Sequence, residues 1–159
     1  MSENPLWDFS LAVYGRPGVS AACLDLQDRL GQDVNVLLFA AWAGMACKAD
    51  LPADELALID SAVAPWRAEV VRPLRAVRRR AKGEDDALYR RLKAAELEAE
   101  RVQQDRLFAL SGLTPAPGGG VTLAAANLYR LVPEGDPAVM TLLAALGTPS
   151  EQVQAAVAN

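Results

Sequence analysis

The side chains best suited to chemistry in this chain are carboxylates and guanidinium groups, because the sequence contains no histidine. Without an imidazole, Ser-His-Asp and Cys-His hydrolysis, histidine-ligated zinc and the Glu-x-x-His pairs of di-iron bundles are excluded. Cys23 and Cys47 stand in apolar surroundings without a CxxC spacing, which favours two reduced core thiols over a disulfide or a metal site. We therefore predict no metal and no cofactor.

Three glutamates, Glu96, Glu98 and Glu100, alternate along a predicted long helix. Residues four apart share a helix face, so Glu96 and Glu100 point the same way and could hold magnesium or act as acid and base. No aspartate-rich motif of the terpenoid-synthase type accompanies them. The alternatives are a solvated helix face, or an ion pair in which Glu96 reaches Arg67 or Arg78 across a helix pair. We predict no catalytic residue.

Residues 67–82 form a strongly basic helix. They hold seven positive residues and one negative, a net charge of +6, while the rest of the chain holds nine positive and nineteen negative, a net charge of −10. Clustered arginines bind carboxylates and phosphates, so we predict a site for an unknown protein partner at Arg72, Arg75 and Arg79. The alternative is that this face meets the acidic half of the same molecule or is merely solvated. The overall charge of −4 makes nucleic acid an unfavourable partner.

The segment from Val34 to Cys47 carries no charge, and Asn35 is its only amide side chain. As a helix of about 21 Å it is too short for a bilayer core of roughly 30 Å, so it predicts a central helix, about residues 33–48, buried on nearly every side. Asp33 precedes it as an N-cap. An unpaired buried Asn35 amide would cost roughly 1 to 3 kcal/mol, so Asn35 must bond to a neighbouring element or line a polar opening. The side chains that could form a polar pocket between helices are Asp33, Asn35, Arg67, Arg78, Glu96 and Glu100.

Every strong period in the chain is helical, and no strand alternation is convincing. The fold class predicted is all-α, a single-domain bundle of about seven to nine helices with a long helix at about 85–110. Asn4 and Pro5 are predicted to start the first helix and Pro17 the second, while Gly31 ends the second. Pro65 is expected to break or kink the helix that contains it.

Apolar stripes predict the inward faces of the two later helices. They are Trp66, Val70, Leu74, Val77 and Ala81 on the basic helix, and Leu88, Leu92, Ala95, Ala99 and Val102 on the long helix. We divide the domain, residues 1–159, into a helical core at 1–111, a Pro/Gly linker at 112–120 and C-terminal helices at 121–159 that pack on the core. Within the last part, residues 140–159 predict a helical hairpin that packs Val153 and Val157 inward. A DNA-reading motif is disfavoured because residues 151–159 contain no Lys or Arg.

Three blocks of the sequence agree in order and spacing with a known family. They read WDFSLAVYGRPGVSAACLDLQDRLGQDVNVLLFAAWAG, WRAEVVRPLRAVRR and KAAELEAERVQQDRL, and together they span roughly residues 7–110. The chain thereby resembles a family of small proteobacterial proteins known as domain of unknown function 2390. The resemblance implies one helical domain and brings no established activity, cofactor or partner.

The first residues carry no basic n-region followed by an apolar h-region, and no apolar run reaches the roughly 20 residues of a spanning helix. We therefore expect a cytoplasmic protein without membrane contact. The function predicted is a binding or regulatory module for another macromolecule. The alternative is an apolar small-molecule binder or a carboxylate-dependent enzyme, and a cavity of roughly 300 Å³ or more with converging polar groups would favour it. Its pocket would be lined by aromatic residues that otherwise form ordinary core, namely Trp7, Tyr14, Phe39, Trp42 and Trp66.

Overall fold

The computed structural model describes residues 3–147, and in this range the chain forms helices and loops without a strand. The helices are α1 (Pro5–Tyr14), α2 (Val19–Leu30), α3 (Val34–Ala46), α4 (Ala53–Trp66), α5 (Arg72–Ala81), α6 (Asp86–Ser111), α7 (Val121–Leu128) and α8 (Pro137–Gly147). One π-helical turn, Arg67–Val71, joins α4 to α5. The described part therefore holds eight α-helices, or seven when α4, the π turn and α5 are counted as one continuous helix. The predicted all-α bundle is confirmed.

Helix α3 is the central helix of the bundle, as the sequence predicts. Asp33 caps it by accepting a hydrogen bond from Asn35 N at 2.9 Å, and every residue from 35 to 46 is buried. Trp42 is fully buried, with its ring centroid 6.3 Å from that of Phe39 and 5.9 Å from that of Phe108. A helix that is apolar on all sides needs cover on all sides, and α1, α2, α6 and α7 pack against α3. None of the helices in residues 3–147 combines the length and apolar character needed to cross a membrane.

Residues 112–120, the segment expected as a linker, are packed against the second half of α3. Gly120 N donates to Gly44 O at 3.1 Å. A Cβ atom at Gly119 would lie 2.4 Å from Gly44 O, and one at Gly44 would lie 2.3 Å from Ala124 N in α7. Glycine is required at positions 44 and 119 because backbone touches backbone there, and this close approach seats α7 directly on α3.

Asn127 of α7 holds the turn that follows α3. Its fully buried Nδ2 donates to Ala40 O at 3.1 Å and Ala49 O at 2.9 Å, while Oδ1 accepts from Leu51 N at 2.8 Å. Each of these groups would otherwise be a buried polar atom without a partner. The side chain therefore fixes the path between α3 and α4.

Helix α8 is tied to α2 through one carboxylate. Asp136 accepts a hydrogen bond from Ala138 N at 3.0 Å at the start of α8, and it binds Arg29 of α2 at 2.8 Å. The helix predicted after Pro149, with the inward positions Val153 and Val157, lies outside the described residues.

Helix α4 does not end at Pro65, because the chain continues through the π turn into α5. A π turn holds about one residue more than an α turn, so the residue that follows Trp66 on the inward side is Val71, five positions on. Val71 is 2% exposed, whereas Val77, which the predicted stripe placed inward, is 52% exposed. The predicted stripe of the basic helix is therefore wrong at Val77, whereas Val70 and Leu74 are half-buried and Ala81 is buried.

Helix α6 has the predicted length but a different inward face. Asp85 caps it by accepting from Leu88 N at 2.9 Å, and Gly112 ends it with a φ of 64°. Leu88 is 48% exposed and Ala95 is also exposed, so the predicted apolar stripe is wrong at these two positions. The buried positions of α6 are Glu96, Ala99, Gln103, Gln104 and Leu107. Three of these five side chains are polar, so α6 turns hydrogen-bonding groups toward α3.

Candidate functional site

A cleft of about 530 Å³ opens between α1 and α2 on one side and α5 and α6 on the other. One wall is apolar and consists of Trp7, Leu11, Tyr14 and Leu24, with Leu97 of α6 facing the same space. Leu11, Leu24 and Leu97 are each about half exposed, at 51%, 48% and 49%. Isolated exposed leucines are ordinary on a protein surface, but apolar side chains gathered in one concavity are typical of a binding site.

The floor of the cleft is polar. Gln104 Nε2 donates to Asn35 Oδ1 at 3.0 Å, and Asn35 Nδ2 donates to Gln103 Oε1 at 3.1 Å. Ser10 of α1 also lines the cleft, and Ser10 and Gln104 are only 3% and 1% exposed. Within residues 3–147, Ser10 Oγ and Gln104 Oε1 have no hydrogen-bond partner. Such atoms cost roughly 1 to 3 kcal/mol each when buried, so the floor offers two unused hydrogen-bonding atoms to a ligand.

Ion pairs between α5 and α6 form the opposite wall. Arg75 Nε donates to Glu96 Oε2 at 3.0 Å, and Arg75 Nη2 donates to Glu100 Oε1 at 3.3 Å. Arg78 Nε donates to the other oxygen of Glu96. The Glu96 side chain is 9% exposed, and two guanidinium groups neutralise it. Pairing of this kind is what allows a carboxylate to remain charged inside a protein.

Glu100 is a weaker acid than an ordinary glutamate. Burial and the neighbouring Glu96 carboxylate raise the pKa of Glu100 to about 7, although Arg75 acts in the opposite direction. Near neutral pH this carboxyl group is therefore present in both its protonated and its ionised form. It can donate a hydrogen bond in one form and only accept in the other.

Three cations stand at the rim of the cleft, Arg79 from α5 and Arg90 and Lys93 from α6. Arg79 Nη2 lies 3.6 Å from Asp28 Oδ1, and both of these side chains are about half exposed. Arg90 and Lys93 make no ion pair with any residue in 3–147. The rim thus carries positive charge that the described part of the chain does not neutralise.

A smaller cleft of about 260 Å³ lies beside the first, beneath the π turn, and shares Arg75 with it. Its polar centre is Asp33, which accepts from Arg67 Nε and from Gln103 Nε2. Arg67 also binds Asp60 of α4. Burial by itself would lower the pKa of Arg67, but Asp33 and Asp60 outweigh it and the net effect is a raised pKa. These groups satisfy one another, so they join α3, α4 and α6 structurally.

The predicted polar pocket is divided between the two clefts. The larger cleft is lined by Asn35, Arg78, Glu96 and Glu100, and the smaller one by Asp33 and Arg67. Of the partners expected for Glu96, the structure contains Arg78 and not Arg67. Asn35 meets both expectations at once, because it bonds to a neighbouring helix and lines an opening.

The prediction that Arg72, Arg75 and Arg79 share one exposed face is wrong for Arg75. Arg72 and Arg79 are exposed, but the Arg75 side chain is 18% exposed and engages two glutamates of α6. The π turn rotates α5 as a unit about its axis, and the edge of the arginine face that carries Arg75 then lies against Glu96 and Glu100 of α6. One third of the predicted partner surface therefore faces inward.

The five aromatic residues considered for a pocket have three different positions. Trp7 and Tyr14 line the larger cleft, while Phe39 and Trp42 are fully buried core. Trp66 lies elsewhere, its Nε1 donating to Ala99 O at 2.9 Å and its ring facing the guanidinium of Arg106 at 4.3 Å. Only two of the five are available to a ligand in the cleft.

Sequence reasoning missed several residues of the cleft, namely Ser10, Gln104, Arg90 and Lys93. A spacing signal was present, because Glu96, Glu100 and Gln104 recur at every fourth position of α6 and so share a face. An analysis of apolar periodicity alone passes over a polar stripe of this kind.

The thiols and carboxylates offer no further chemistry. Within residues 3–147, no three acidic or thiol side chains are grouped as a metal site requires. Cys23 and Cys47 are free and buried, and burial raises the pKa of each to about 12. Both thiols are therefore protonated and unreactive at neutral pH.

Fold and cleft together define a small all-α protein with an amphiphilic opening between its helices. The chain belongs to the DUF2390 family, described as protein of unknown function, whose model matches residues 5–107. The matched range contains every residue that lines the larger cleft. No curated protein and no solved structure matches the chain.

Proposed function

We propose that this protein binds an amphiphilic small molecule in the larger cleft. The observation that carries the proposal is the pair of buried, unpartnered atoms Gln104 Oε1 and Ser10 Oγ at the floor of an apolar-walled opening. The volume of about 530 Å³ falls within the roughly 300 to 1,000 Å³ of small-molecule sites. A ligand would cover the exposed leucines and supply the missing hydrogen bonds.

This proposal takes the place of the macromolecule-binding module as the leading function. The site predicted for that module was Arg72, Arg75 and Arg79, and the pairing of Arg75 with Glu96 and Glu100 leaves less of this surface available to a partner. A carboxylate-dependent enzyme has less support, because arginines bind both oxygens of Glu96 and Arg75 also binds Glu100, the other carboxyl group that lines the cleft. Binding without a reaction is the function that these contacts support best.

The test uses N-phenyl-1-naphthylamine, a neutral amphiphile that becomes fluorescent in apolar surroundings and carries one N–H donor. Ala94 and Ala95 are adjacent and both exposed on α6, but only Ala94 lines the cleft. We expect saturable binding at one site, an affinity reduced at least tenfold in Ala94→Trp, and an unchanged affinity in Ala95→Trp. Absence of saturable binding, or equal effects of the two tryptophans, would refute the proposal.

A further inference from the structure

The larger cleft is a positive region on an acidic protein. Five cations line it, Arg75, Arg78, Arg79, Arg90 and Lys93, against two carboxylates, Glu96 and Glu100, which gives a net charge of +3. The whole chain has a net charge of −4, so the residues outside the cleft sum to −7. A concave site with a net charge of one sign attracts ligands of the opposite sign well beyond contact distance.

The cations of the cleft fall into two groups with different availability. Arg75 and Arg78 are committed to Glu96 and Glu100 at the wall. Arg90 and Lys93 have no ion-pair partner within residues 3–147, and they lie three positions apart on α6, which places them on one face. Leu97, four positions after Lys93, continues that face into the cleft. The unused positive charge is therefore adjacent to the apolar surface.

Positive charge, apolar surface and a hydrogen-bond acceptor lie at different depths in the cleft. The rim carries the positive charge of Arg90 and Lys93, and the wall provides apolar contact through Trp7, Leu11 and Leu24. The unpartnered acceptor Gln104 Oε1 lies at the floor. A molecule that satisfies all three has an anionic group at one end, an apolar body, and an N–H or O–H group that reaches inward. Guanidinium and ammonium groups bind carboxylates, sulfonates and phosphates alike, so the rim favours a negatively charged group without choosing among these anions.

We infer that the ligand of the larger cleft is a small organic anion, held with its anionic group at Arg90 and Lys93 and its hydrogen-bond donor at Gln104. This inference rests on the proposed function and specifies its ligand class. Two features of different kinds support it, the uncompensated positive rim and the unpartnered acceptor at the floor. It assigns Arg90 and Lys93 as binding residues that the apolar pattern of the sequence does not indicate.

The test compares two probes that differ by one sulfonate group, 8-anilinonaphthalene-1-sulfonate and N-phenyl-1-naphthylamine. At low salt we expect the sulfonate to bind at least tenfold more tightly, and we expect this advantage to shrink as salt rises. The double variant Arg90→Glu with Lys93→Glu should lose at least tenfold in affinity for the sulfonate and keep its affinity for the neutral probe within about twofold.

A matched control changes the net charge of the protein equally without touching the cleft. Lys82 and Arg91 are exposed and do not line it, so Lys82→Glu with Arg91→Glu should leave both affinities near those of the unaltered protein. Equal binding of the two probes, or equal losses in the two double variants, would overturn the inference while leaving the proposed cleft intact. If the neutral probe did not bind, or if Ala94→Trp had no effect on either probe, the proposed function itself would fail.

Discussion

Arg75 of α5 binds Glu96 of α6 with an Nε to Oε2 distance of 3.0 Å, so the centre of the basic helix faces the protein's own carboxylates. The same guanidinium reaches Glu100 at 3.3 Å. Arg72, three positions earlier, is exposed and makes no ion pair with any residue in 3–147. Two arginines of one predicted surface therefore have different roles, one structural and one solvated.

The first prediction contrasts these two arginines. Arg75→Ala should lower the free energy of unfolding by about 2 kcal/mol, because it leaves Glu100 without its cation in a site of low exposure. Arg72→Ala should change it by less than about 0.5 kcal/mol, as exposed charges usually do. Urea denaturation of both variants measures this. Equal stabilities would mean that the pair of Arg75 with α6 contributes nothing.

The second prediction concerns pH and Glu100. The folded protein raises its pKa from the ordinary value of 4.5 to about 7, chiefly by burial and then by Glu96. Between these values the folded state holds a proton that the unfolded state has released, so this group's contribution to stability falls as pH rises and is lost above about 7. The Glu100 side chain is 28% exposed, which moderates the effect. As pH rises from about 5 to about 8, the free energy of unfolding of Glu100→Gln should therefore increase by about 2 kcal/mol relative to that of the unaltered protein.

Other charged groups near Glu100 bear on this test, and all belong to elements packed around it. The charged groups are Asp33 before α3, Arg75 of α5 and Glu96 of α6, and the phenol of Tyr14 of α1, whose pKa is raised mainly by burial, stays neutral in this range. The control is Glu98→Gln on the exposed side of the same helix, where Arg101 lowers the pKa of Glu98. A carboxyl group with a lowered pKa changes its protonation below this pH range. The free energy of unfolding of Glu98→Gln should therefore not rise relative to that of the unaltered protein across the same range. Denaturation at several pH values distinguishes the two, and a flat profile for Glu100→Gln would contradict the prediction.

The third prediction tests the backbone contact between residues 112–120 and α3. Gly119→Ala should cost about 3 kcal/mol or more, because its Cβ would lie 2.4 Å from Gly44 O and neither backbone can move aside. At Gly120 no atom lies within 4 Å of an added Cβ and the backbone is extended. Gly120→Ala should therefore alter stability by less than about 1 kcal/mol. Melting temperatures of the two variants provide the measurement, and similar values would argue against the packed connection.

The fourth prediction compares two helix caps. Asp33 caps α3 and also binds the buried guanidinium of Arg67, so Asp33→Ala should cost about 3 kcal/mol, more than the loss of a cap by itself. Asp85 caps α6 at an exposed position, and Asp85→Ala should cost about 1 kcal/mol. Chemical denaturation of both measures the difference. Costs of equal size would indicate that the pair of Asp33 with Arg67 adds nothing to the cap.

The sequence determined the elements that depend on local chemistry. Asn4 with Pro5 and Asp33 mark helix starts, and Gly31 marks a helix end, where the structure has them. An N-cap satisfies backbone amides within its own turn, and glycine adopts a positive φ without strain, so both signals are readable from neighbours in the chain. The start of α2 was misplaced at Pro17 because Gly18 has a left-handed φ of 81°, which delays the helix to Val19. Helix α3 was predictable because a helix with apolar residues on all sides is stable only when other helices cover it.

Only the tertiary structure decided which faces of α5 and α6 point inward and where the cleft lies. Helical periodicity finds an inward face by its apolar residues, but α6 buries Glu96, Gln103 and Gln104, which bond to groups on α3 and α5. The π turn adds about one residue before α5 and so rotates Arg75 toward α6. Local helix propensity does not predict where such a turn forms. The site thus depends on pairings between side chains far apart in the chain, whereas the helices depend on residues within a few positions of one another. For this reason the fold could be predicted closely and the cleft could not.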